Sequence, residues 1–182
     1  METKKKLMDS AFRLFADKGN EFSLSEVASE VGIQKASIYA HFISKEELLY
    51  EVINQEINQY FLEINENCRD LQSMFFMILD YYGRSQTKLF FWKRLLLFPP
   101  KIFEETLNAK IHILSGQRYE IVKDIIISNM KDGKIRRQDP DSVAISYFAM
   151  IHGILSSIII YQPENVTIHF GEIWDDFWKG IN

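Results

Sequence analysis

The stretch from Phe22 to Leu49, FSLSEVASEVGIQKASIYAHFISKEELL, constrains the fold more than any other part of the chain. It is punctuated in a way that only short, closely packed helices satisfy. Ser23 with Glu26 three residues on predicts a capping box, in which each residue satisfies an orphan amide of the other's turn. Ser44 with Glu47 predicts a second one. Between them Gly32 supplies a turn, because glycine accepts the left-handed backbone cheaply. Val27, Ala28, Val31, Ile33, Ile38 and Phe42 recur at helical spacing and predict a shared buried side. Upstream, Leu7, Met8, Ala11, Phe12, Leu14 and Phe15 form one apolar stripe that Gly19 ends. The expectation is a head of three helices, followed from about Lys45 by a long helix with Leu48, Leu49, Val52, Ile53, Ile57, Tyr60, Phe61 and Ile64 on one face.

The rest of the chain keeps the helical period. Gly83 and Pro99-Pro100 predict breaks, and 102–130 a long helix with a kink near Ser115-Gly116 that Lys131-Asp132-Gly133 ends. Asp139-Pro140 predicts an N-cap followed by proline at the first helical position. Pro163 interrupts, and a last helix over 166–180 closes the chain. Ile125-Ile126-Ile127 and Ile158-Ile159-Ile160 lie inside longer helical patterns, so no strand is expected. The predicted class is all-α: an N-terminal three-helix head with a helix-turn-helix over 1–46, and a C-terminal helical bundle over 47–182.

Charge is informative only locally. The net charge of -4 argues against a nonspecific nucleic-acid coat. Residues 1–50 carry seven Lys or Arg and eight Asp or Glu, but Gly32 through Lys45 contains no acid. Lys4-Lys5-Lys6 is the kind of basic start that is usually just solvated. Cys68 is the only cysteine, so a disulfide within the chain is impossible and a cysteine-based zinc site is not expected. No apolar run follows the basic start, so no signal peptide is expected. The stretch Ile151 to Tyr161 is too short and too polar to span a bilayer. A cytoplasmic location with no membrane role is the expectation.

The second short helix, predicted from about Lys35 to His41, offers a cation, hydroxyls and an imidazole on the side away from Ile38 and Phe42. Such a face suits the major groove, where phosphate contacts position a helix and base edges specify it. Lys35 is a candidate for base or phosphate, and Gln34 can hydrogen-bond a base. Ser37, Tyr39 and His41 can donate to phosphates. Lys45 adds charge beside the amides of a helix N-terminus.

Those residues resemble the DNA-binding head of the TetR family of bacterial transcriptional repressors. The matching elements are the helix Leu7 to Phe15, the Gly19 turn, Ser23 to Ala28 before Gly32, Tyr39-Ala40-His41-Phe42, and Ser44-Lys45-Glu46-Glu47-Leu48. They cover roughly residues 5–55. By position the resemblance implies DNA contacts from Ser23, Ser25, Lys35, Ala36, Ser37, Tyr39, His41 and Lys45. It also implies a ligand-responsive repressor that binds a palindromic operator as a homodimer. Gln34, Ala36 and Ala40 depart from residues common in the family, and Ala36 and Ala40 can only touch a thymine methyl or make room.

The body is less diagnostic. The resemblance implies that it dimerises and senses a small molecule. The helix pair 140–161 and 166–180 suits a four-helix interface with a second copy through Ile151, Ile154, Leu155, Ile158, Trp174, Phe177 and Trp178, with Gly153, Ser156 and Ser157 permitting close approach. The aromatic and methionine-rich region suits a hydrophobic or aromatic effector. Its candidate lining is Phe61, Met74, Phe75, Met77, Tyr82, Phe90 and Trp92, with His112, Tyr119 and Tyr147 from later helices and Arg94 to orient an anionic group. No catalytic set, metal site or cofactor is expected: His41, His112, His152 and His169 lie on separate segments without metal-ligand spacing. The alternative is an all-α small-molecule-binding protein or enzyme without a DNA role. It would require a polar convergent site in the body.

Overall fold

The computed structural model describes residues 2–67, 69–83, 85–161 and 163–182, with the side chains of 65–67, 163 and 165 left aside. Cys68, for which the sequence suggests no disulfide or nucleophile, lies outside the described residues. Ten α-helices account for most of the described chain: α1 Glu2–Lys18, α2 Leu24–Val31, α3 Lys35–Ile38, α4 Lys45–Asn67, α5 Leu71–Gly83, α6 Gln86–Leu97, α7 Glu104–Lys131, α8 Pro140–Ile160, α9 Pro163–Thr167 and α10 Phe170–Ile181. No strand occurs among the described residues.

The chain divides into two compact units that cut across the head and body expected from the sequence. The first comprises Met1–Leu62 with Ser85–Ile111, and the second Glu63–Arg84 with His112–Asn182. In the first unit α1 packs against both α2 and α6. The reason is the α1 stripe, on which Leu7, Ala11 and Phe15 are fully buried. Phe91 of α6 meets that stripe, stacked on Phe12 at 4.5 Å and edge-on to Phe15 at 5.1 Å. Gly19, at φ 64, ends α1 in the left-handed region as its position suggested.

In the second unit α8 packs on α5, and α10 on α5. Tyr147 is fully buried, and its hydroxyl donates to the Leu71 carbonyl at 2.8 Å. Trp174 lies 5.4 Å from Phe75. Helix α7 is one continuous helix through Ser115-Gly116, and Gly133 at φ 72 turns the chain out of it. Asp139 caps α8 as expected, accepting from the Ser142 amide at 3.0 Å, with Pro140 in the first turn.

Two element boundaries differ from expectation. Pro163 opens the short helix α9 instead of merely interrupting, as a proline at the first helical position can. The last helix therefore starts at Phe170, and Ile168 lies exposed in the turn before it. Helix α8, taken whole, is long and apolar enough by length and composition to cross a membrane, which the shorter stretch Ile151 to Tyr161 is not. Its Val143, Ala144, Tyr147, Ile151, Ile154, Leu155 and Ile158 are buried inside the chain, as in the core helix of a globular unit.

Candidate nucleic-acid interface

The interface is built from the turn outward. Ser23 caps α2: its hydroxyl accepts from the Glu26 amide at 3.3 Å, and the Glu26 carboxylate accepts from the Ser23 amide at 2.7 Å. At the other end of α2, Gly32 sits at φ 76, ψ 33, and its N–H donates to the Ala28 and Ser29 carbonyls. A side chain there would strain the backbone even though nothing lies within 4 Å of an added Cβ. The left-handed turn redirects the chain into α3. That helix has a single turn, shorter than the span to His41 expected from the sequence. Hydrogen bonds from His41 N and Phe42 N to the Ile38 carbonyl, at 2.8 and 3.0 Å, carry the coiling on to Phe42. Ile38 and Phe42 are buried and fix which side of α3 faces out.

That outer side holds most of the predicted contacts. Ser25, Gln34, Lys35, Ala36, Ser37 and His41 are exposed, and Tyr39 is 51% exposed, high for a large aromatic residue. Two of the flanking acids are occupied. Glu30 accepts from Ser10 and Arg13 at 2.8 and 3.1 Å. Glu47 accepts from the backbone of Ile43 at 2.5 Å. The second capping box is thus displaced by one residue: Ser44 takes the Glu47 amide at 3.1 Å, but the Glu47 carboxylate reaches the Ile43 amide instead of that of Ser44.

Two predicted contacts have structural duties. The Ser23 hydroxyl also donates to Glu26 at 2.8 Å. Lys45 donates to the Asn20 carbonyl at 2.5 Å and stands 4.7 Å over the Phe22 ring. An ammonium has three hydrogens, so Lys45 has donors left for a phosphate besides this clasp. The basic start is partly committed too. Lys4 pairs with Glu51 at 2.7 Å and lies 5.0 Å over the Phe42 ring, and Lys6 pairs with Glu2.

Glu26 ties this region to pH. The Lys18 ammonium, the Ser23 hydroxyl and the Ser23 amide hold its carboxyl at about 2, well below the ordinary 4.5. A lowered carboxyl pKa stabilises the fold above the unfolded value, and that contribution is lost as pH falls from 4.5 through about 2. Acid titration of Glu26→Gln followed by circular dichroism is therefore expected to show a flatter loss of stability over that window than the wild type. Parallel curves would refute the coupling.

The body candidates divide between the two units. Phe61, Phe90, Trp92 and Arg94 belong to the first unit, whereas Met74, Phe75, Met77, Tyr82, His112, Tyr119 and Tyr147 belong to the second. Met74, Phe75, Tyr82 and Tyr147 are buried there, but His112 is exposed and Tyr119 donates to Asp141 at 2.8 Å. Arg94 is engaged elsewhere than expected: its Nε donates to the Ala16 carbonyl at 2.8 Å and its guanidinium also reaches the Asp17 carbonyl. It thereby satisfies carbonyls left open at the end of α1.

The predicted dimer stripe is corrected similarly. Ile151, Ile154, Leu155, Ile158 and Trp174 are buried within their own chain, and Phe177 and Trp178 are half-buried. The surface that α8 exposes instead includes Ile145, Ala149, Gly153, Ile159 and Ile160 together with the polar Ser142, Ser146 and His152. The sequence reading also passed over Glu56, which falls on the buried stripe of α4 between Ile53 and Ile57. Its carboxylate accepts from the Trp92 indole at 3.3 Å. An acid in the inward register of an apolar helix face was the available signal.

Among the described residues no three His, Cys, Asp or Glu side chains are grouped to hold a metal. Residues 7–52 match the family described as bacterial regulatory proteins, tetR family. The HTH-type transcriptional regulator YuxN of Bacillus subtilis is 39% identical over 64 residues, which is 35% of this chain and 22% of that protein. The chain matches well under half the length of YuxN and of its fellow YvaF, of which 35% is covered. Whole-chain likeness comes from solved structures. The ketosteroid transcriptional regulator KstR2 of Mycobacterium tuberculosis superposes with a TM-score of 0.73 at 18% identity, over 98% of this chain and 94% of that one. The transcriptional regulator FadR of Bacillus subtilis, in complex with stearoyl-CoA, does so with a TM-score of 0.68 at 15% identity, over 98% and 99%. Residues 7–52 thus match the tetR family of bacterial regulatory proteins, and the whole chain shares the fold of KstR2 and FadR.

Proposed function

We propose that this chain is a cytoplasmic, ligand-responsive transcriptional regulator, acting as a repressor, that grips a palindromic double-stranded DNA operator as a homodimer. Residues 1–46 are the DNA-binding head and 47–182 the sensing and dimerising body. The carrying observation is the outer face of α3, where Lys35, Ser37, Tyr39 and His41 stand free of acids over the anchors Ile38 and Phe42. Lys35 and the hydroxyls take phosphates, and Gln34 reads a base edge. Lys45 shares its ammonium between Asn20 and a phosphate. Two such faces meet successive major grooves about 34–36 Å apart.

Dimerisation uses the exposed side of α8, where Ala149 and Gly153 let a partner helix approach between Ile145 and Ile160. The half-buried Phe177 and Trp178 of α10 complete the four-helix contact. The effector is hydrophobic or aromatic and is sensed by the body. FadR, of the same fold, was solved with an acyl thioester bound. Such a ligand regulates only by binding two conformations with different affinity. No step in this reading calls for catalysis.

The deciding experiment is selection of bound sequences from random duplex DNA with the purified chain. A palindromic consensus is expected, and the absence of any enriched sequence would overturn the proposal. On the selected site, Lys35→Ala is expected to weaken binding and to reduce the slope of log affinity against log salt by about 1 per chain. Tyr39→Ala is expected to weaken binding with no loss of dimer. Unchanged affinity and salt slope in both variants would remove α3 from the interface.

A further inference from the structure

Ile43 is 81% exposed, the most exposed large apolar side chain among the described residues. It stands in the turn between α3 and α4, inside the first unit. A single apolar residue on a surface is ordinary. This one is set apart by how its backbone is held and by what flanks it. Its amide donates to the Glu47 carboxylate at 2.5 Å. Phe42 before it is buried and donates to the Ile38 carbonyl at 3.0 Å. Ser44 after it accepts from the Glu47 amide at 3.1 Å. The turn therefore presents Ile43 to solvent at a fixed place. Two positions earlier is the exposed His41, and two positions later Lys45, whose ammonium is held at the Asn20 carbonyl.

The chemistry of a major groove narrows what such a side chain can meet. Isoleucine neither donates nor accepts. Base edges in that groove offer acceptors, amino groups and one apolar group, the 5-methyl of thymine. Against an acceptor or an amino group, Ile43 strips water and returns no hydrogen bond, which costs free energy. Against a methyl it removes apolar surface from water, which gains free energy. The same residue thus favours thymine and penalises the other bases.

We infer that Ile43 is a specificity-determining residue that reads the 5-methyl group of one thymine in each half-site. The inference rests on the DNA-binding reading of α3. It adds a base contact made by apolar packing to the one that Gln34 makes by hydrogen bonding.

The test uses the full chain and the duplex recovered by operator selection. Each thymine of a half-site is replaced in turn by deoxyuridine, symmetrically in both half-sites. The replacement removes a methyl and keeps the base pair and its hydrogen-bonding edge. At one thymine the wild type is expected to lose about fourfold in affinity per half-site, hence about 16-fold for the symmetric pair. Ile43→Ala is expected to bind the thymine and uracil duplexes equally at that position, and Ile43→Val to keep most of the preference. Any thymine read through Ala36 or Ala40 keeps its methyl dependence in Ile43→Ala, which tells those positions apart. The slope of log affinity against log salt is expected to be the same in Ile43→Ala as in the wild type, because no phosphate contact is lost. The scan on the wild type alone already decides: indifference to every thymine methyl, or a consensus without a thymine, overturns the inference. So does a loss in Ile43→Ala that is equal on thymine and uracil duplexes, which places the side chain on the sugar wall of the groove. A selection that enriches no sequence fails the DNA-binding reading and this one together, whereas a bound site without the methyl dependence removes Ile43 alone.

Discussion

Replacing Phe91 by alanine is expected to lower the stability of the chain by about 3–5 kcal/mol, read as a fall in the urea midpoint at fixed protein concentration. The size follows from what the ring touches. Phe91 is fully buried on α6, stacked on Phe12 and edge-on to Phe15, so its removal strips two aromatic partners and leaves a void against α1. Each aromatic pair contributes about 0.5–1.5 kcal/mol beyond burial. A double-mutant cycle of Phe91→Leu with Phe15→Leu is therefore expected to show a coupling of about that size. A loss below about 1 kcal/mol in Phe91→Ala would mean that α1 closes onto the gap, and that α6 does not brace it.

The second large effect belongs to Tyr147 in the other unit. Tyr147→Ala is expected to cost about 3–5 kcal/mol, because the fully buried ring packs edge-on to Phe148 and lies 5.9 Å from Phe177. Tyr147→Phe separates the ring from its polar tip. It keeps the packing and removes only the hydrogen bond to the Leu71 carbonyl, so about 1 kcal/mol is expected. A comparable loss in both variants would place the stabilisation in the hydroxyl and not in the ring. Trp174 stands 6.0 Å from Phe177, so in a Trp92→Phe background tryptophan emission reports unfolding of this unit.

Of these buried rings Phe15 was legible in the sequence, and the reason is periodicity; Phe91 was not singled out, and Tyr147 was expected to line an effector site. Phe15 lies on a stripe whose spacing of three and four leaves little choice of face, and Ser23 with Glu26 encodes its partnership locally. Gly19 and Gly32 took the positive φ that their positions suggested, and Gly133 does so where the sequence marked only the end of a helix. What lay beyond reach was anything decided by distant residues. Arg94 reads in isolation as a cation beside aromatics. Its carbonyl partners Ala16 and Asp17 are 78 and 77 positions away. The α8 stripe was visible as apolar, but α8 is apolar nearly all round. Periodicity could not say which side its own chain would cover, and Ile151, Ile154 and Leu155 face inward while Ile145 and Ile160 face out. The displaced second capping box has a local cause: Glu47 reaches one residue further back than the motif prescribes.

The clasp between Lys45 and Asn20 joins the first residue of α4 to the turn that precedes α2, across 25 positions of chain. It closes the α2–α3 segment into a loop gripped at its base, while Glu47 holds the same loop at Ile43. A tilt of α4 therefore carries α3 with it, since the short arm of the lever is pinned at both corners. An anion that draws the Lys45 ammonium away from Asn20 would loosen one of those pins. On the proposed function, engagement of a duplex would thus change the stiffness of the joint that carries α3.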